Sequence, residues 1–199
     1  MKIIGICGLI GSGKDTIAQI IKENNASVKH FSFAGILKDI ISIIFDWDRA
    51  LLQGDTVESR KWREEEDTWW SARLEIPNFT PRTTLQYIGT NVLRDNFHPD
   101  IWIAAIERRI LQCAPDDIIV ITDCRFPNEI DMLRRLGGKI VWVQRGDLPD
   151  WCVNYIIKGE IPTQVHPSEY SWLNTKFDAV IKNDGTLEEL TKDVLPLLN

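Results

Sequence analysis

Thiols are few and scattered in this chain. Cys7, Cys113, Cys124 and Cys152 form no CxxC pair, which argues against a zinc site or a dense disulfide framework and leaves reduced, partly buried thiols as the expectation. Long apolar runs are missing too: none approaches the roughly 20 residues needed to span a membrane. The apolar start, residues 1–8, runs straight into a glycine loop without the h-region or small-residue cleavage site of a secretory signal. A cytoplasmic protein with no membrane attachment is therefore expected. Positive charge is in short supply as well. The 23 Lys and Arg against 29 Asp and Glu leave a net charge of −6, which argues against a nucleic acid polymer as partner, since such binding normally needs a basic face or stripe. An anionic ligand must instead meet a local basic site. No internal repeat, low-complexity tract or Gly/Ser linker divides the chain. Its 199 residues, 44% hydrophobic, are enough for one sizeable core, so a single domain over 1–199 is expected.

What is present is a rhythm. Short apolar runs at 3–7, 28–33, 118–122, 139–143 and 179–181 alternate with helix-length segments at 14–22, 36–45, 81–95, 101–111, 128–136 and 187–198. That alternation predicts an α/β fold with a parallel sheet of about five strands. The runs are nearly continuous in apolar residues, as expected for strands covered by helices on both faces. Two stretches break the pattern. Residues 46–80 are rich in charge and tryptophan, and residues 146–175 carry Pro149, Pro162 and Pro167 without an obvious strand. Both read as insertions above the sheet, the first an acceptor-binding insertion and the second a lid.

The most specific motif is Gly8-Leu9-Ile10-Gly11-Ser12-Gly13-Lys14-Asp15-Thr16, set between an apolar strand and a helical segment. Gly8, Gly11 and Gly13 let the backbone turn its N–H groups around phosphate oxygens, Ser12 lies among them, the helix start is electropositive, and Lys14 adds a mobile cation. The GxxxxGK spacing in this context predicts a cradle for the phosphates of ATP or GTP. Asp15 stands where such loops usually place Ser or Thr, so the usual hydroxyl ligand for magnesium is replaced. Asp15 is a candidate metal ligand, directly or through water, and the Thr16 hydroxyl is within reach of an α-phosphate.

A second strand ends in Asp123, a Walker-B-like carboxylate at the carboxyl edge of the sheet, suited to metal binding or to orienting a catalytic water. Arg125 follows, placed either to reach phosphate or to pair with Glu129. Thr80-Pro81 starts a helix as N-cap and first-turn proline. On it Leu85, Ile88 and Val92 make an apolar stripe, while Arg82, Gln86, Thr90 and Arg94 recur every four residues as a polar one. A solvated face would mix Glu with Lys; this stripe has arginines and neutral hydrogen-bonders, which suits an anionic ligand. The arginines are ~18 Å apart along the helix, so they would touch different parts of a ligand. Trp62, Trp69 and Trp70 beside Arg60, Lys61 and Arg63 suit a nucleotide base and phosphate, or the core of the insertion itself.

Arg145 precedes the second insertion, where a lid could close over the γ-phosphate. His166 lies within it, placed to touch phosphate or to organise the lid with Glu169. The run 181–186 reads as a last strand, a tight turn and an N-cap, which would bring Asn183 and Gly185 close to the phosphate loop beside the adenine.

The motifs GSGKDT at 11–16, FAGILK at 33–38, PRTTLQYIGTNVLR at 81–94, DCRFPNE at 123–129, HPSE at 166–169 and NDGT at 183–186 together resemble the phage-type deoxynucleoside monophosphate kinases, relatives of adenylate kinase and phosphomevalonate kinase. The Gly-Lys-Asp form of the loop is shared with that group. The resemblance implies the reaction ATP + dNMP = ADP + dNDP with Mg2+, in the host cytoplasm if the chain is phage-encoded. It assigns Lys38, Arg82, Gln86 and Arg94 to the acceptor monophosphate, and Arg125 and Arg145 to the transferring phosphate or lid. Lys14, Asp123, Arg125 and Arg145 make the candidate catalytic set; Asp15 and Asp123 are the candidate metal ligands; Arg60, Trp69 and Thr90 join the candidate acceptor residues. Gly35 departs from the acidic residue of the FADPLK-like form, so the ribose contact that the resemblance implies is left open. Competing readings are a P-loop kinase for phosphomevalonate or a hydroxyl acceptor, and a non-catalytic nucleotide-binding regulator. Base preference, ribose selectivity and pairing into a homodimer stay open.

Overall fold

The computed structural model describes residues 1–198; the expected domain extends to Asn199, which lies outside them. In chain order the elements are β1 (Lys2–Cys7), α1 (Lys14–Asn24), β2 (Val28–Phe31), α2 (Phe33–Phe45), α3 (Arg49–Gln53), α4 (Val57–Trp62), α5 (Thr68–Leu74), α6 (Pro81–Gln86), a π-helical segment (Tyr87–Asp95), α7 (Ile101–Leu111), β3 (Ile118–Ile121), α8 (Pro127–Arg135), β4 (Lys139–Gln144), α9 (Asp150–Lys158), a 3-10 turn (Pro167–Glu169), β5 (Ala179–Lys182) and α10 (Leu187–Val194), which ends in a further 3-10 turn (Leu195–Leu198). They form two compact units, one made of Met1–Ser32 and the chain from Ile106 onward, the other of Phe33–Ala105. The 46–80 stretch lies within the second unit. Among the described residues no helix is long and apolar enough to cross a membrane.

The first unit is built on a parallel five-stranded sheet in the order β2-β3-β1-β4-β5. Central β1 pairs Ile4 with Val120 on one side and Ile6 with Val141 on the other. From Ile3 to Cys7, and along all of β3, every residue is buried, because helices cover both faces. Ile17, Ile20 and Ile21 of α1 and Leu190 and Val194 of α10 pack with Ile4, Ile6, Val120, Val141 and Val143. The edge strands depart from the continuous pattern: in β2 and β5 exposed residues interrupt the burial, since an edge has one neighbour fewer. β2 also stops at Phe31, and Phe33 belongs to α2 instead of the strand. The 146–175 stretch contains no strand, in line with its sequence. It holds α9 and a 3-10 turn, its Tyr155 and Tyr170 rings are 5.0 Å apart, and Trp172 is buried against Trp142 and Phe177.

The second unit is helical. The 46–80 stretch contains three short helices, each started by a side chain that satisfies free N–H groups: Asp48 accepts from Ala50 and Leu51, Thr56 forms a capping box with Ser59, and Asp67 accepts from Trp70. Trp62 and Trp70 pack against Phe45, Trp47 and Phe79 as core residues of this unit. Their orientation is fixed by polar ends as well as by rings: the Trp47 indole donates to Asp67 at 2.7 Å and that of Trp70 to the Phe45 carbonyl at 3.2 Å. Thr80 caps α6 with Pro81 in its first turn, as expected. Beyond Gln86, however, the chain winds as a π-helix. Its wider turn brings Leu93 into line with Leu85 and Ile88 against the core, while Val92 is 40% exposed. The α-helical spacing had assigned that place to Val92. Gly89 is the reason the turn can sit close: a Cβ there would meet a Leu37 methyl at 2.5 Å, and its carbonyl accepts from the Trp102 indole at 3.0 Å.

Phe45 is the hub of this second core, with Trp47, Trp70 and Phe79 ring centroids at 4.8, 5.1 and 5.4 Å. Phe45→Ala is expected to lower unfolding free energy by about 3–5 kcal/mol, measured by denaturant titration with tryptophan fluorescence. A loss below ~1 kcal/mol would contradict the packing described.

Candidate functional site

In the parallel sheet, β1 leads to β2 on one side while neighbouring β3 leads to β4 on the other. Connections that leave adjacent strands in opposite directions open a crevice at their carboxyl ends, where ligands of α/β proteins gather. The 8–16 loop leaves β1 there, and Asp123 follows β3 in the same crevice. Gly8 is required by close approach, because a Cβ would lie 2.6 Å from both the Ser12 hydroxyl and the Val143 carbonyl of β4. Gly13 has φ +96° and sits against the Asn183 amide, so a side chain would be both strained and obstructed. That amide donates to the Ser12 carbonyl at 2.9 Å, which ties the 183–186 turn to the loop. Gly185 lies in that turn, with the Glu189 carboxylate close over it. Ser12 is buried and its hydroxyl has no hydrogen-bond partner among the described residues.

Lys14 folds back onto its own loop, donating to the carbonyls of Gly8 at 2.7 Å and Leu9 at 2.8 Å. Burial pushes its pKa below the ordinary lysine value, and the charge of Arg125 pushes the same way, partly offset by Asp15, Glu169 and Cys7. The guanidinium of Arg125 pairs with Glu169 at 2.9 Å and donates to Ser168 at 3.3 Å. The sequence offered it either phosphate or Glu129 as a partner. In the structure the buried Glu129 carboxylate instead accepts from the backbone N–H groups of Arg125 and Phe126, opening α8 and fixing the backbone that carries the arginine. Glu169, 44 residues downstream, was not paired with Arg125 in the sequence; the HPSE motif was its one visible signal. His166 accepts the Ser168 N–H at 3.2 Å and so caps this turn. Asp123 accepts from Ser32 at 2.7 Å. Asp15 and Thr16 are exposed on the first turn of α1, and Arg145 is exposed beyond β4.

Beneath the loop, Cys124 shares a hydrogen bond with Cys7, and that contact, followed by burial, raises its thiol well above the ordinary value. A thiol so placed is poorly ionised and inert, which matches its position as packing between the ends of β1 and β3.

In the second unit Lys38 donates to the carbonyl and side-chain oxygen of Gln53, at 3.2 and 3.1 Å. Arg60 donates to the Gly54 and Asp55 carbonyls, and Arg82 pairs with Glu64 at 2.7 Å. Gln86 and Thr90 are exposed and Arg94 is half-buried. Trp69 is 62% exposed, its ring edge-on to Trp70. A 620 Å³ hollow along the β5 edge shares no residue with the loop, and it mixes Lys139 and Lys182 with Asp178 and Asp193, so it lacks the net positive field an anion needs.

Residues 53–194 match the sequence model of a family described as deoxynucleotide monophosphate kinase. A protein of Acanthamoeba polyphaga mimivirus, provisionally given the same name, is 29% identical over 208 residues, covering 98% of this chain and 95% of its own. The deoxynucleoside-5'-monophosphate kinase of Escherichia phage T5 is 27% identical over 179 residues, 66% of this chain and 71% of its own. Among solved structures, Mycobacterium tuberculosis APS kinase superposes with a TM-score of 0.50 at 12% identity, over 99% of this chain and 96% of its own, a likeness of fold.

Because burial and Arg125 disfavour the Lys14 charge, Lys14→Met is expected to melt no lower than the parent chain while binding a fluorescent ATP analogue at least about tenfold more weakly. Unchanged affinity would remove Lys14 from the phosphate site.

Proposed function

Because this chain belongs to the deoxynucleotide monophosphate kinase family, whose model covers residues 53–194, we propose that it transfers the γ-phosphoryl group of ATP to the phosphate of a deoxynucleoside monophosphate, giving ADP and the deoxynucleoside diphosphate. The observation that carries the reading is the amide-lined turn at the crevice between β1 and β3, with Lys14 held inside it by the Gly8 and Leu9 carbonyls. A glycine turn at a helix start beside a partly desolvated ammonium suits a phosphate chain.

In the reaction an acceptor phosphate oxygen bonds to the γ-phosphorus in line with the leaving oxygen, and the bond from that phosphorus to the β-phosphate oxygen breaks, leaving its electron pair on ADP. The acceptor oxygen is already ionised near neutral pH, so no proton has to be removed from it. Lys14 and Arg125 supply positive charge where negative charge is redistributed, and Arg145 stands at the root of the 146–175 lid. The Thr16 hydroxyl is assigned to an α-phosphate, and Asn183 and Gly185 to the adenine side of the loop. The residues present fit magnesium: Asp15 and Asp123 offer the hard carboxylate oxygens such a cation prefers. Among the described residues no group of three or more metal-binding side chains forms a cage, so phosphate oxygens and water would complete its shell. When bound, the ion draws charge from the β- and γ-phosphates.

The acceptor is assigned to the second unit through Lys38, Arg82, Gln86, Thr90 and Arg94, with Arg60 and Trp69 at its margin. A coupled ADP-release assay against the common dNMPs, NMPs and hydroxyl acceptors is expected to show turnover on deoxynucleoside monophosphates, reduced at least about a thousandfold in Lys14→Ala. Turnover on no monophosphate, or on hydroxyl acceptors alone, would overturn the assignment.

A further inference from the structure

We propose that Arg63 is a direct ligand of the acceptor's phosphate monoester, held ready for it by Gly54; this rests on the kinase reading above. Arg63 lies just past α4. Its backbone N–H donates to Ser59 at 3.2 Å, and its carbonyl accepts from the Arg82 N–H at 2.9 Å, so its main chain is fixed to the first turn of α6. Its side chain lies across the turn that follows α3. There Gly54 has φ +77°, and a Cβ built on it would be 2.3 Å from the central guanidinium carbon and 2.4 and 2.6 Å from the two terminal nitrogens. Both the backbone conformation and the space demand glycine. That glycine is what lets the guanidinium occupy this place.

Three further observations point to an anion. The Arg63 Nε is buried and has no hydrogen-bond partner among the described residues, a costly state for a donor that a single acceptor oxygen would relieve. Its cationic neighbours are already engaged: Arg60 with the Gly54 and Asp55 carbonyls, Arg82 with Glu64. The surroundings also disfavour the Arg63 charge. Burial lowers its pKa below the ordinary value, Arg82 and then Arg60 add to this, and Glu64 and Asp55 partly compensate. A guanidinium does not deprotonate in proteins, so it remains a half-buried cation among cations. A phosphate dianion reverses each of these costs, and the planar fork of Nε and a terminal nitrogen matches two of its oxygens.

The alternative, that the Arg63 stem merely covers apolar surface, is kept apart by Arg63→Met, which preserves the stem. In the full-length chain this variant is expected to raise KM for a deoxynucleoside monophosphate about a hundredfold, with KM for ATP within about threefold of the parent, as loss of a charge-assisted pair implies. Gly54→Ala, which removes no charge but displaces the guanidinium, is expected to move the same constant in the same direction. Should Arg63→Met not fold, Arg63→Lys, which keeps stem and charge but loses Nε and the fork, decides the matter by the same ratio of KM values. An unchanged acceptor KM overturns the proposal, as does an equal rise in both KM values accompanied by a fall in melting temperature. Calorimetry with millimolar inorganic phosphate separates failure of the site from failure of the kinase reading. If the parent chain turns over no monophosphate, a phosphate heat lost in Arg63→Met still supports the site; equal heats, or none in the parent chain, sink it.

Discussion

Cations placed beside cations and out of water are the constraint around which this molecule is arranged. In the first unit Lys14 is half-buried and feels Arg125; in the second, Arg63 is half-buried and feels Arg82 and Arg60. Neither arrangement helps folding, because desolvation and like-charge repulsion both oppose it. The positions are held by other means. Two loop carbonyls hold the Lys14 ammonium, Glu169 and Ser168 hold the Arg125 guanidinium, and a glycine without a Cβ admits that of Arg63. In a chain whose net charge is −6, such local fixation is what allows an anion to be bound at all. Donors already aimed and desolvated gain the full interaction when negative charge arrives, with little rearrangement left to oppose it.

The sheet explains how the first of these positions can be so rigid. The loop begins at the end of the central, fully buried strand, pressed between the Val143 carbonyl of β4 and the Cys7–Cys124 contact. Asn183 closes it from the turn after β5. Three strands thus contribute to one loop, and each contribution comes from backbone or from a small side chain near it. By contrast Arg125 is aimed by Glu169 and Ser168, which lie in the 146–175 stretch. That stretch is anchored through Trp172 and the Tyr155–Tyr170 pair and has no strand pairing of its own. Arg125 is therefore held from the less regular part of the unit, and Lys14 from the sheet.

This division also sets how much was legible in the sequence. Strand rhythm, the loop, the carboxylate after β3 and the Thr80-Pro81 cap all depend on residues adjacent in the chain, and the structure has them where spacing put them. Other features depended on contacts between distant residues. Val92 and Leu93 exchange roles because nine residues wind as a π-helix, which a 3.6-residue period cannot anticipate. Trp62 and Trp70 became core because Phe45 and Phe79 surround them; their basic neighbours had suggested nucleotide contact as readily. The Arg125–Glu169 pair spans 44 residues, whereas the Glu129 offered by proximity was needed for backbone N–H groups. Arg63 stood level with Arg60 and Lys61 among the basic residues beside the tryptophans until its closeness to Gly54 distinguished it.

The histidines carry the argument about chemistry one step further. His30 bonds the Thr122 hydroxyl between β2 and β3, His98 accepts the Asp100 N–H, and His166 caps the turn that presents Ser168 and Glu169. Each imidazole thereby spends one ring nitrogen on shaping a loop or a strand end. A hydroxyl acceptor would need a base to take its proton, and the Asp123 carboxylate, the candidate for that task, is already bonded to Ser32. A phosphate acceptor needs no such base, since the attacking oxygen carries its charge beforehand. What such a reaction asks of a protein is two anions brought into line and neutralised. The partly desolvated ammonium and guanidinium groups, their repulsions only partly compensated within the chain, are the features that this requirement explains and that folding alone does not.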